Sequence, residues 1–138
     1  MNVLDLLKTL ALGAGLIIGA FIGDINGLFW ALLIFAMVDY ITGVTAAILE
    51  HQLSSEIGFK GITRKVLLFL IVGVANVLDV YVIGTASVCR SMVIMFYLAN
   101  EGLSIIENVG RCGVPIPEKL KLILKQLEEE KDGDQTRD

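Results

Sequence analysis

Four hydrocarbon-rich stretches separated by short polar breaks set the terms for what this chain can fold into. They run from Leu6 to Gly23, Leu28 to Leu49, Val66 to Ile83 and Ala86 to Ile106. Each is about 18 to 22 residues, close to the roughly 20 that cross a bilayer as helix. A chain of 138 residues with 55 % hydrophobic content, a mean hydropathy of +0.75 and 2 prolines is too apolar for an aqueous domain of its size. The predicted fold class is therefore all-α. The chain reads as an integral membrane protein with four transmembrane helices paired as two helical hairpins, followed by a short amphipathic helix. Residues 1–110 form the transmembrane unit of this reading and residues 111–138 a cytoplasmic segment. The first stretch carries Lys8 near its start, but its end, "GAFIGDING", has no small-x-small cleavage site, so it reads as a span and not as a removed leader.

Asp39 tests that reading, because it lies in the middle of the second stretch. An aspartate at mid-helix costs about 2.5 to 3.5 kcal/mol on the insertion scale, and each Leu, Ile, Phe or Val returns roughly 0.3 to 0.6. The eleven such residues between Leu28 and Leu49 offset it. The span inserts and carries its acid along.

The cations give orientation. Lys8, then Lys60, Arg64 and Lys65, then Arg111 and the lysines beyond it, alternate with the breaks at Asp24–Gly27 and Gly84–Ser87, which hold none. Counting positive charge on the cytoplasmic side places both termini and the loop from Glu50 to Lys65 inside the cell. Within that topology Asp79 and Arg90 lie roughly 6 Å inside the outer end and are expected to pair across a hairpin. Asn76 and Asp39 fall near the midplane, and Glu101 lies toward the cytoplasmic end within reach of Arg64 or Lys65. No cation is expected at the depth of Asp39, which leaves it protonated, hydrogen-bonded to a neighbour such as Asn76, or facing water. Ala36, Asp39, Thr42, Gly43 and Ala46 share one helix face, a small and polar stripe suited to a partner helix.

In the first span Ala11, Gly15, Gly19 and Gly23 recur every four residues, which leaves one face nearly bare of side chains. Such faces let helix backbones approach closely in lipid, within one protomer or between protomers. Past the fourth span, Leu120, Ile123, Leu124 and Leu127 recur at helical spacing after Pro117, with Lys119, Lys121 and Lys125 alongside. That segment is expected to lie on the anionic inner leaflet or, failing that, against a partner helix. Asp132 to Asp138 reads as a solvated, disordered tail, and the net charge of -4 comes largely from the last eleven residues, Glu128 to Asp138.

Several classes are excluded. No basic stripe with interleaved aromatics supports nucleic-acid binding. His51 is the single histidine, Cys89 and Cys112 have no ligand spacing and sit at opposite ends of the fourth span, and no nucleophile, base and orienter recur together. No catalytic residue, cofactor or metal is expected.

"VDYITGVTAAI" followed by "SSEIGFKGITRKV" resembles the bacteriophage holin family of the toxin-secretion and phage-lysis type. The matching positions are Asp39, Tyr40 and Gly43, then Ser54 or Ser55, Gly58, Gly61 and Lys65. The resemblance covers about residues 30 to 70 closely and the remainder by size, span count and charged C-terminal end. It implies a protein that accumulates in the bacterial cytoplasmic membrane, forms homo-oligomeric lesions and so releases an endolysin or a toxin, its functional partner. A small ion channel or proton-coupled exporter using Asp39, and a holin antagonist, are the competing readings.

Overall fold

The computed structural model describes residues 2–84 and 86–135, with side chains through Gln126 and at Glu129. It is all-helical among the described residues: α1 (Val3–Ile22), α2 (Gly27–Leu49), α3 (Ser55–Val77) continued by a π-helical segment (Leu78–Ile83), α4 (Val88–Arg111) and α5 (Glu118–Gln135). Local chemistry fixes the starts. The side chains of Asn2, Asn26 and Ser54 accept hydrogen bonds from the backbone N–H groups of Asp5, Phe29 and Ile57, three residues on in each case. Gly23 closes α1 at φ 84°, a left-handed value that a side chain rarely adopts.

Three helices are long and apolar enough to cross a membrane: α1, α2 and the continuous helix from Ser55 to Ile83. The fourth predicted span is a helix too, but Arg90, Asn100, Glu101, Glu107 and Asn108 lower its mean hydropathy below that standard. α4 runs parallel to α2, its most extensive neighbour, as the contacts of Phe29 with Arg90, Asp39 with Asn108 and Glu50 with Arg111 require. α3 runs antiparallel to both. Phe29, Leu32, Leu68, Val72 and Ile94 form the buried core of these three helices.

α1 departs from the hairpin expectation, because it packs on α3 and not on α2. Its Phe21 ring lies over Gly73, where a Cβ would come within 2.0 Å of the ring. No residue of α1 is buried, and Leu12, Leu16 and Ile17 are more than 70 % exposed. Side chains that apolar need cover from lipid or from protein.

Two further boundaries differ from expectation. The segment from Glu50 to Lys65 is mostly helix, since Ser54 caps α3 and only the stretch up to that residue is loop. α5 continues through Gln135, so residues 132–135 are helical where a disordered tail was expected; residues 136–138 and the Leu127 side chain lie outside the described residues. α5 folds back on α4, with Leu124 buried over Gly102 and Phe35, which is the partner-helix contact.

Candidate functional site

The earlier start of α3 has a consequence for Asp39. Lys65 lies ten positions inside α3 and Asp39 ten positions before the end of α2, so in antiparallel helices the two stand level, roughly 15 Å in from the helix ends. The expectation that no cation shares the depth of Asp39 is therefore corrected. The Lys65 ammonium donates to Asp39 Oδ2 and to Glu101 Oε2 together, joining α2, α3 and α4 at one point. Their side chains are only 12 to 18 % exposed, so the two carboxylates depend on this one cation for compensation.

Asn108 completes the arrangement. Its amide nitrogen donates to Asp39 Oδ1 at 3.0 Å, to the Asp39 carbonyl at 3.3 Å and to Thr42 Oγ1 at 3.2 Å. Gly43 makes room for it, since a Cβ there would stand 3.4 Å from the same nitrogen. Asn108 was not singled out in the sequence, although Glu101, Ser104 and Asn108 follow helical spacing and the face they share was readable. A cavity of about 400 Å³ opens beside these groups, lined among others by Asp39, Lys65, Glu101, Ser104 and Asn108.

The remaining motif positions form the same contact. Gly58, Gly61 and Lys65 share one face of α3, and the Tyr40 ring lies on its glycines, with a Cβ at Gly61 falling 3.1 Å from the ring and one at Gly58 3.5 Å from the hydroxyl. Asp39 and Tyr40 thus reach α3 at adjacent levels, the acid bonding Lys65 and the ring seated one turn nearer the N-terminal end of α3. The motif is one interhelical joint read from two segments.

At the other end of the bundle, Asn76 is not a partner of Asp39. Eleven residues past Lys65, its amide nitrogen donates to the carbonyls of Ala20 and Phe21, at 3.3 and 3.0 Å. Asp79, buried in the π-helical segment, accepts from the backbone N–H groups of Cys89 and Arg90 at 2.9 and 2.8 Å and so caps α4. The fully buried Arg90 sends its guanidinium to the carbonyls of Ile22, at 2.8 Å, and of Asp24, and lies over the Phe29 ring. A cation at the carbonyl end of α1 also suits that helix's dipole. Asp79 and Arg90 lie together, the bonds of Asp79 joining the π-helical segment to the start of α4 and the Arg90 guanidinium joining α4 to the end of α1.

The glycine ladder divides. Gly23 is enclosed by Asn76 and Arg90, whereas a Cβ at Gly15 or Gly19 would meet nothing within 4 Å. Outside the helical core, Glu50 and Arg111 tie the C-terminal ends of α2 and α4 at 2.6 Å, and the guanidinium bond holds the Glu50 carboxyl below its usual range.

The pattern of the bacteriophage holin family matches residues 16–129, a range that takes in every group of the joint. The chain belongs to the bacteriophage holin family. A probable holin of Bacillus phage phi105 is 39 % identical over 101 residues, covering 73 % of this chain and 74 % of the relative. An uncharacterised Listeria monocytogenes protein is 41 % identical over 119 residues, 86 % of this chain and 84 % of the relative. An uncharacterised 14.9 kDa protein of Clostridium perfringens is 45 % identical over 100 residues, 72 % of this chain and 76 % of the relative. No solved structure matches this holin-family chain.

Proposed function

We propose that this holin-family protein accumulates in the bacterial cytoplasmic membrane and oligomerises into lesions through which an endolysin or a toxin leaves the cell, so timing host lysis. The observation that carries the reading is the contrast between two faces. Asp39, Lys65, Glu101 and Asn108 satisfy one another inside the α2–α3–α4 bundle, while Gly15 and Gly19 of the α1 ladder face nothing within the protomer. A bundle closed in this way rests stably in lipid, and its bare helix face suits close contact with a second copy.

In this reading α4 is the fourth span. It has 24 residues, enough for a hydrocarbon core of about 30 Å, and the polar groups that depress its average, Arg90, Glu101 and Asn108, are buried against α2 and α3. Met92, Met95 and Phe96 are exposed on its outer side. Four spans place both termini in the cytoplasm, in keeping with Lys8 and the lysines of α5. Residues 1–110 then make up the membrane unit, and α5 returns from the end of α4 along that helix, with Leu124 on Gly102.

Induced expression tests the function. A holin gives abrupt growth arrest and release of a cytoplasmic marker enzyme. Passage of ions without the enzyme would replace this reading with a small channel built on the cavity beside Asp39, and neither effect would favour an antagonist of lysis.

A further inference from the structure

The joint divides the bundle into a polar half and a dry half. Toward the C-terminal ends of α2 and α4, the cavity of about 400 Å³ follows all three helices away from it, past Gly43 after Asp39, Gly61 and Ile57 before Lys65, and Ser104 and Asn108 after Glu101. From Lys65 back to Ile57 is eight positions of helix, roughly 12 Å. In the opposite direction Leu32, Val72 and Ile94 stand seven positions from Asp39, Lys65 and Glu101 respectively, so they meet at one level of the core, and each is 0 % exposed. Arg64 lines the cavity beside Lys65, is exposed, and has no described acidic group within ion-pair distance.

We infer that the cavity is an aqueous vestibule that carries cytoplasmic water to the joint, and that the layer of Leu32, Val72 and Ile94 is the dry gate beyond it. The inference rests on the proposed four-span placement, which turns the open end toward the cytoplasm and sets the joint near mid-membrane. Arg64 separates water from hydrocarbon as the filling. An exposed guanidinium at that depth is disfavoured against lipid and is accommodated beside a water-filled cavity. The charges agree, since the joint holds two carboxylates and one ammonium, and Arg64 on the same cavity balances the excess through water and not through a direct pair. The space is large enough for several waters, and Asn100, Ser104 and Asn108 add the polar partners that ordered water needs. The layer of Leu32, Val72 and Ile94 offers no side-chain partner of that kind, and apolar constrictions shed water. One copy of the chain thus hydrates the cytoplasmic half of its bundle and seals the outer half, so conduction along this path requires the gate to part.

Thiol accessibility tests this in the full chain, in sealed inside-out and right-side-out vesicles prepared before growth arrest. Single cysteines are introduced as Ser104→Cys, Arg64→Cys, Val72→Cys and Ile41→Cys in a background carrying Cys89→Ser and Cys112→Ser, and Cys89→Ser alone keeps Cys112 as the cytoplasmic reference. A membrane-impermeant methanethiosulfonate is expected to modify Ser104→Cys and Arg64→Cys from the cytoplasmic side at rates comparable to Cys112. Ile41→Cys lies nearer the C-terminal end of α2 than Asp39 but is exposed beside an apolar groove between α1, α2 and α3. It should react about a hundredfold more slowly, because the thiolate is the reacting form and apolar surroundings suppress it. Val72→Cys should react from neither side. If Ser104→Cys and Arg64→Cys are as slow as Ile41→Cys while Cys112 is reached only from the cytoplasm, the vestibule is overturned and the placement stands. Modification of Val72→Cys as fast as Ser104→Cys would overturn the gate. Labelling of Cys112 from the outer side would instead remove the placement on which both depend.

Discussion

Lys65 bonds Asp39 and Glu101 at once, so a single ammonium holds the carboxylates of two other helices. The geometry converts three residues that each disfavour insertion into one largely compensated group. Removing the cation alone is then the damaging change. Lys65→Met leaves two buried carboxylates without compensation, and loss of one partner from a buried pair costs about 3 to 5 kcal/mol. The expected outcome is a large fall in thermal stability in detergent. The triple variant Asp39→Asn, Lys65→Met, Glu101→Gln should recover most of it, because amides need no counter-ion. A triple variant as unstable as Lys65→Met would show that the three side chains do not act together.

Gly73 and Phe21 give a second test, directed at the attachment of α1. A methyl at Gly73 would fall 2.0 Å from the Phe21 ring, so Gly73→Ala must push α1 away from α3. Overpacking of this kind costs about 1 to 3 kcal/mol. Phe21→Ala removes the obstructing ring, and the double variant is expected to be more stable than the sum of the two single changes predicts. Additive losses in a double-mutant cycle would mean that α1 does not pack on α3 through this pair.

The C-terminal ends of α2 and α4 should part in acid. Arg111 holds the Glu50 carboxyl below its ordinary value of about 4.5, so the contribution of the pair is fully present above that value and disappears as pH falls through the lower folded-state value. Glu50→Gln removes it at every pH. Unfolding midpoints of the parent and Glu50→Gln are therefore expected to differ slightly at neutral pH and to converge below 4.5. A difference that widened in acid would reverse the sign assigned here.

The helices themselves were legible in the sequence, because hydropathy and length act locally and Asn2, Asn26 and Ser54 cap in a recognisable way. Registers between helices were not. Asp39 was placed by its distance from the span ends, while its partner depended on where α3 begins; the apolar run starts at Val66, and the helix starts at Ser55. That displacement of eleven residues moved Lys65 from a loop to the depth of Asp39 and moved Asn76 to the opposite end. The pairing of α1 with α3 was hidden for a related reason: a short connection such as residues 23–26 suggests neighbours, but the bonds from Asn76 and Arg90 to the carbonyls of α1 determine where it docks. Average hydropathy likewise penalises α4 for polar groups that its neighbours enclose. Family resemblance singled out Tyr40, Gly58 and Gly61, but their contact, a ring seated on a glycine face, is visible only in the packed helices.

Gly15 and Gly19 separate folding of the protomer from association between protomers. A side chain at either position meets no atom within 4 Å in the single chain, so Gly15→Leu and Gly19→Leu are expected to leave its stability in detergent within about 0.5 kcal/mol of the parent, as surface substitutions do. In a bilayer the same side chains hold apart any helix that approaches the bare face, since small residues at that face are what allow backbone contact. Cross-linking in membranes should accordingly shift from oligomer to monomer, and release of a cytoplasmic marker after induction should be delayed or lost. Gly13→Leu, two positions off the four-residue ladder and equally open in the protomer, is the control that should change neither readout as strongly. Oligomers that survive both ladder substitutions would place the contact between copies on another helix.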